Sequence, residues 1–482
     1  MPGVVVTTAV RTGPSIANVT PSATFFIVGQ TERGPSDEAV LVTSLADYEE
    51  KFGGFVSYGV VHQQMQTYFE EGGSQAYVAR VVGASATVGT KNLNNSSSTA
   101  AITLTAVGAG SWSSNLEAAV VASGAGFAIK LYLSGDLVYN SGECASATIA
   151  VNKINSSSLA SSYVTAAVGA GGGTPVVAAA SAFSAGDDPG TPATALFTGA
   201  LDLFSDTLGA GAVAIPGQTG TTVWNAIIAH CNTNNRIALL AFTEAATATS
   251  AISDAAAYAD DEHSEHAAFF YPWVQIERDT NVLAYISPEG YVAAKRAVAQ
   301  NSDGPWRPYA GLMSEASFVL GLKSEISKAQ SDTLDEGRVN GLRVINGRVR
   351  IYGARSASND EVNFRYITAQ EMLNYVVVQA QSQLEDLVFS TIDGRQTLFA
   401  NVKSRLINLL DPIRVAGGLY EAFDNTGRRI DYGYSVVVNE AINPVSQLAG
   451  GLIRAKVGIR VSSVGDQIEI AVTKSNLTAS VV

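Results

Sequence analysis

Arg236-Ile237-Ala238-Leu239-Leu240-Ala241-Phe242 is apolar at every position after its arginine. A strand that meets water on one face alternates apolar and polar residues, whereas a strand covered on both faces reads as a continuous apolar run. Working outward, Ala212-Val213-Ala214-Ile215 ends at Pro216-Gly217 like a strand, and Thr221 to His230 reads as a helix. On the other side Ala251 to Ala259 reads as a helix and Ala267 to Trp273 as a further strand. The order βαβαβ predicts a parallel sheet covered on both faces, with right-handed crossovers.

The same layer is written near the N-terminus. Phe25-Phe26-Ile27-Val28 stops at Gly29 like a buried strand. Ser44 and Asp47 predict a capping box opening a short helix that ends near Phe52-Gly53-Gly54. A helix from Val60 to Glu71 and a strand from Tyr77 to Val82 follow. Between residues 81 and 200 only eight side chains are charged, and short alternating runs such as Ala101–Thr105 and Phe127–Leu133 are separated by Gly, Ser and Asn. That spacing predicts a β-sandwich inserted into the α/β part; a poorly ordered Ser/Ala-rich linker is the alternative.

The last part predicts two long amphipathic helices. One spans Thr368 to Ser390, with a stripe of Leu373, Val376, Val377, Leu384 and Leu387. The other spans Thr397 to Leu410 and stops before Pro412. A strand follows with Ile453, Ala455, Val457, Ile459 and Val461 inward, and then a final strand around Ile468, Ile470 and Val472. At the other end, residues 1–20 alternate weakly around Val4, Val6 and Val10. Each terminus thus offers a strand outside the cores. Unpaired strands are resolved by pairing with a sheet edge in a neighbouring subunit; packing back on their own domain is the alternative.

Composition excludes some functions. Of 482 residues, 30 Lys+Arg against 43 Asp+Glu leave −13, which argues against a nucleic-acid binder needing a basic face. The charge is uneven: residues 1–300 carry 11 basic and 24 acidic side chains, residues 301–482 carry 19 of each. Cys144 and Cys231 form no ligand or disulfide pattern. No basic n-region with a long apolar stretch opens the chain, and no apolar run reaches the roughly 20 residues of a membrane span, so a soluble chain is expected. Glu262-His263-Ser264-Glu265-His266 is the best metal candidate, but its histidines are three apart in an acidic run and read as a solvated loop. Gly217-Gln218-Thr219-Gly220-Thr221 lacks the lysine that would meet phosphates and reads as a βα turn. There is no GxSxG elbow, and nothing fixes a Ser/His/Asp triad. No enzyme activity and no cofactor or metal is expected.

Several motifs in order resemble the contractile tail sheath proteins of bacteriophages and related contractile injection systems. They are Met1-Pro2-Gly3-Val4; Phe26-Ile27-Val28-Gly29 with Arg33-Gly34-Pro35; Ser44-Leu45-Ala46-Asp47-Tyr48 with Phe52-Gly53-Gly54; Gly110-Ser111-Trp112; Tyr271-Pro272-Trp273-Val274; and Val339-Asn340-Gly341-Leu342-Arg343 leading to Ile351-Tyr352-Gly353-Ala354-Arg355-Ser356. The resemblance implies a subtilisin-like α/β core without protease function, an inserted β-sandwich, an α+β C-terminal domain and extended terminal arms. The expected divisions are an arm at 1–20, core at 21–95, sandwich at 96–185, central domain at 186–365, C-terminal domain at 366–464 and arm at 465–482. It also implies hexameric rings stacked helically around an inner tail tube, with baseplate and tail terminator proteins as further partners. The location implied is a virion tail assembled in the host bacterial cytoplasm. Strand pairing between subunits is expected at Val4, Val5, Val6, Thr7 and Thr8 and at Ile468, Glu469, Ile470, Ala471 and Val472. Tube contact is expected from Lys403, Arg405 and Arg414. A non-phage injection system or tailocin, a subtilisin-like hydrolase, and a static tube or adhesin component are the rival expectations.

Overall fold

The computed structural model describes residues 22–466 except Pro189 and Thr280. The strands proposed at 4–8 and 468–472 therefore lie outside the described residues. Two compact units form, one up to Gln383 and one from Leu384.

The first unit is built on an eight-stranded sheet. Across it run Arg348–Tyr352, Val339–Ile345, Ala267–Tyr271, Ile237–Ala241, Gly211–Ala214, Thr24–Gly29, Ala76–Arg80 and Val40–Val42. The six inner strands are parallel and each edge strand is antiparallel to its neighbour. Alternate residues feed opposite cores, as strand geometry requires. Phe25, Ile27, Ala212, Ala214, Ile237, Leu239, Ala268 and Phe270 join one core, beneath the helices Val61–Glu70 and Glu289–Ser302. Phe26, Val28, Val213, Ile215, Ala238, Leu240, Ala267 and Phe269 join the other, beneath Thr221–Thr233 and Ala248–Ala256. The run at 236–242 is thus a strand buried on both sides.

Between Ala76–Arg80 and Gly211–Ala214 the chain forms two antiparallel sheets of four and three strands, which share one core around Ile102, Leu116, Ile129 and Val164. Two buried arginines tie this part to the main sheet. Arg80 Nη1 donates to Gly34 O (2.9 Å) and Nη2 to Ala109 O (2.8 Å), and Asp188 stands 3.8 Å away. The Arg33 guanidinium lies over the rings of Trp112 and Tyr163, at 5.9 and 5.2 Å. The approach requires glycine at 108, where φ is +80° and a Cβ would stand 1.9 Å from Gly34 O.

Four local expectations are corrected. Ser44 caps Leu45–Phe52 by accepting from Asp47 N (3.1 Å), but the shorter Asp47 carboxylate accepts from Thr43 N instead of closing the capping box. The first long helix runs Ile367–Leu384 and stops six residues short of Ser390, with Phe389 in the left-handed region (φ +65°). Its buried face is also different. Gln370, Glu371, Asn374 and Gln379 are buried, while Val377 is exposed. Glu371 meets Arg296 Nε at 3.0 Å, Gln370 meets His266 at 3.0 Å, and Asn374 Nδ2 donates to Arg236 O at 3.2 Å. Val376 of the expected stripe is buried, and polar groups with partners share the buried face with it. The second helix runs Thr397–Val415 straight through Pro412. A mid-helix proline costs about 3 kcal/mol, but Leu409, Leu410 and Ile413 continue the buried stripe past it. Finally, the strand expected around 453–461 is regular at Lys456–Ile459 alone, with Val461 in a single antiparallel bridge to Leu419, and Val457 is exposed.

Glu289 opens the helix Glu289–Ser302 fully buried, and its Oε2 has no hydrogen-bond partner. Burial pushes its carboxyl up to about 7, against a hydrogen bond with Ser287 that lowers it. A raised folded pKa means that the fold binds the proton more tightly than the unfolded chain. Its stability contribution is complete below about 4.5 and is lost as pH rises through about 7. Glu289→Gln is therefore expected to match wild type near pH 4.5 and to exceed it by roughly 3 kcal/mol above pH 8 in urea unfolding. Parallel pH profiles for the two proteins would contradict this.

Candidate interaction surface

The unit from Leu384 is organised by the helix Thr397–Val415. Asp393 accepts from Thr397 N (3.0 Å) and Thr397 Oγ1 (2.9 Å), satisfying the helix start. Leu398, Phe399, Val402, Leu406, Leu409, Leu410 and Ile413 recur at helical spacing and are buried. Gly417 (φ +85°) ends the helix, and Gly418 N donates back to Ile413 O at 2.9 Å.

Beyond it, Tyr434–Val437 pairs with Lys456–Ile459 in an antiparallel two-stranded ribbon, with Tyr434 opposite Ile459 and Val437 opposite Lys456. The buried Asn443 holds the connection closed. Its Nδ2 donates to Asn439 O (3.0 Å) and Arg454 O (2.9 Å), and its Oδ1 accepts from Arg454 N (2.6 Å). Neither outer edge of the ribbon carries another strand among the described residues. Two-stranded ribbons are marginal in water, and open edges are templates for a further strand.

A second feature adjoins the ribbon in sequence. Tyr420, Phe423, Ile430 and Tyr432 are each more than half exposed. Arg414 and Arg429 lie over the Tyr432 ring at 5.5 and 4.4 Å, and both pair with Glu421, at 2.9 and 2.7 Å. Hydrogen bonds from these arginines hold Glu421 below the usual carboxylate range, and Arg414 does the same for Asp411 at 2.8 Å. Such exposed pairs contribute little to stability in isolation; their role is to fix which groups face outward.

The basic residues expected at the tube behave differently from one another. Lys403 is exposed and has no ion pair among the described residues. Arg405 is paired with Asp386, one of the two contacts being 2.9 Å, and Arg414 is held as above. Lys403 and Arg414, three turns apart, share a helix face that Arg405, two positions from Lys403, does not. Tyr432, Glu421 and Asn443 were missed from sequence. Each is isolated in the chain, and only pairing across loops gives it a role.

The histidines are accounted for by local contacts. His266 is buried, with Nδ1 2.9 Å from Arg236 O and Nε2 held by Gln370, while His263 is only partly buried and stands beside Glu262, so the two face different surroundings. His230 meets Arg236 Nη1 at 2.9 Å and is pushed down to about 4, chiefly by burial. His62 meets Glu49 at 3.0 Å. Among the described residues no helix is long and apolar enough to cross a membrane.

No family model and no curated protein matches the chain. Solved structures do. The helical sheath of the anti-feeding prophage in its contracted state aligns over 98% of this chain and 99% of its own, with TM-score 0.59 at 13% identity. The contracted sheath complex of the extracellular contractile injection system PVC covers 98% of each chain with TM-score 0.57 at 16% identity. The sheath tail protein from Listeria innocua covers 87% of this chain and 89% of its own with TM-score 0.59 at 13% identity. Along nearly its whole length, then, this chain is similar to the sheath proteins of contractile injection systems and phage-like tails. What it shares with them is the fold, a mixed α/β core with one large, mainly parallel sheet and smaller sheets beside it.

Proposed function

We propose that this protein is the structural subunit of a contractile sheath. It polymerises as stacked hexameric rings around an inner tube, and it shortens to drive that tube through a target cell envelope. The observation that carries the reading is the ribbon Tyr434–Val437/Lys456–Ile459, flanked by no further strand among the described residues, in a chain with a sheath fold throughout. Residues 4–8 and 468–472 of neighbouring copies would complete it, adding main-chain hydrogen bonds on each side. In this reading 1–20 and 465–482 are arms, 96–185 is an outward-facing insertion, 21–95 and 186–365 form a subtilisin-like core without catalytic function, and 366–464 faces the tube. Baseplate and terminator proteins cap the lattice, and the particle is built in the host bacterial cytoplasm.

The mechanism needs no nucleotide or cofactor. Two lattices of the same subunits differ in contact free energy, and only that difference can do work on the tube. Cores then move as rigid bodies while the arms absorb the rotation. Negative-stain microscopy of the purified protein, alone and with an inner tube protein, tests the reading. Long tubes in two lengths support it, and a monodisperse monomer under all conditions rejects it.

Tube contact is the second part. Since Asp386 already answers Arg405, the unpaired Lys403 is expected to dominate attraction to an acidic tube. Lys403→Glu should weaken sheath assembly on tubes about tenfold or more at low salt, and Arg405→Glu should weaken it less. Equal effects, or none, in a tube co-sedimentation assay would remove Lys403 from the contact.

A further inference from the structure

We infer that the outward face of the hairpin Val339–Tyr352 docks against the acidic loop Asp260–Glu265 of a second copy, forming a head-to-tail contact between cores. The inference rests on the self-assembly reading above and names a contact separate from the arms.

The hairpin turns at Asn346-Gly347, both with positive φ (55° and 76°), a pairing suited to a two-residue turn. Its register sets Arg343 opposite Arg350, Ile345 opposite Arg348 and Gly341 opposite Tyr352. Leu342, Val349 and Ile351 point into the core, so the arginines share the other face. Like charges directly opposite on a ladder are unfavourable, and among the described residues only Arg350 of the three arginines has an acidic partner, Glu315. Arg348 is exposed, and Arg343 lies 5.0 Å over the Tyr352 ring, itself half exposed. The outer edge of Arg348–Tyr352 is already occupied: Ala316 N donates to Val349 O (2.9 Å) and Ile351 N to Ser314 Oγ (2.9 Å). Strand addition is therefore closed there, and side-chain recognition is what the face can offer.

The occupant follows from charge and topology. Asp260, Asp261, Glu262 and Glu265 are four carboxylates in six residues of a chain whose first 300 residues carry −13. Nearby, Arg338 and Arg365 pair with Glu361, and Arg355 pairs with Glu361 and Asp335, while the loop's own His263 stands 3.5 Å from Glu262 and 3.9 Å from Glu265. The loop runs into Ala267–Tyr271, which lies parallel to Val339–Ile345 with Phe269 beside Val339. From Ala267 to the hairpin tip is thus about eight residues along the strand direction, or about 26 Å. Positive and negative surfaces stand at opposite ends of one sheet. A self-complementary surface pair of this kind is heterologous, and repeated copies generate a ring or a helical array instead of a closed dimer.

The test is charge reversal on each side and on both, in the full chain. Arg343→Glu with Arg348→Glu, and separately Asp261→Lys with Glu262→Lys, should each raise the concentration needed for polymerisation about tenfold or more. The combined quadruple variant should return to within about threefold of wild type. Arg348→Glu alone, at an exposed position, should act in the same direction with an unchanged melting temperature. If wild type polymerises and these variants do so identically, or if the quadruple variant shows no rescue, the inference fails while the sheath reading stands. If only the arginine variants fail, and only when an inner tube is supplied, the face meets the tube and the inference is wrong. If wild type never polymerises, the sheath reading fails and this inference with it.

Discussion

Removing residues 465–482 should leave a folded, soluble monomer that no longer forms tubes at any accessible concentration. The ribbon edges that these residues are proposed to complete offer several main-chain hydrogen bonds per strand, each worth about 0.5–1.5 kcal/mol net. In the proposed lattice, a five-residue strand on each edge of each copy would therefore be the largest directional contribution. The helix Thr397–Val415 buries its stripe, and the two ribbon strands pair with each other, through residues outside 465–482. Folding and assembly should separate: the melting temperature stays within a few degrees while polymer mass in sedimentation falls to background. Removal of residues 1–20 should do the same. A truncated protein that polymerises like wild type would show that the arms do not connect subunits.

The second large effect is expected at Arg80. It is among the most completely buried side chains of the molecule, and burial lowers its pKa, against a raising effect from Asp188. Arg80→Met would leave Gly34 O and Ala109 O without their donor and Asp188 without its counter-charge. Breaking a buried pair from one side costs about 3–5 kcal/mol, which urea unfolding should register as a lowered midpoint. Adding Asp188→Asn removes the stranded charge and should recover about 0.5–3 kcal/mol. If Arg80→Met is neutral, the link between the main sheet and the inserted sheets does not rest on this arginine.

How much of this was legible beforehand depends on the kind of signal. The run at 236–242 was decisive because a strand buried on both sides has no polar face to disguise it. The paired sheets of the insertion were visible as short alternations between turns. Pro412 misled because the rule for proline is local, whereas Ile413 and the rest of the buried stripe carry the helix onward. Glu371 and Gln370 lie outside the apolar stripe that the spacing marks, and nothing local signals their burial, because their partners, Arg296 and His266, are 75 and 104 residues away. Arg80 and Arg33 were invisible for the same reason, since their partners are carbonyls and rings brought close by the fold. The alternation around Val457 was read correctly in period but not in meaning: period tells which side chains share a face and is silent on what covers it. The terminal strands, whose pairing carries the account, lie outside the described residues.

Cryo-electron microscopy of the assembled sheath, at a resolution that traces main chain, is the most direct measurement. The account predicts that each ribbon at 434–437 and 456–459 is widened into a larger sheet by segments belonging to adjacent molecules, one from residues 4–8 and one from 468–472. Termini folded onto their own subunit, with both ribbon edges bare in the lattice, would contradict it.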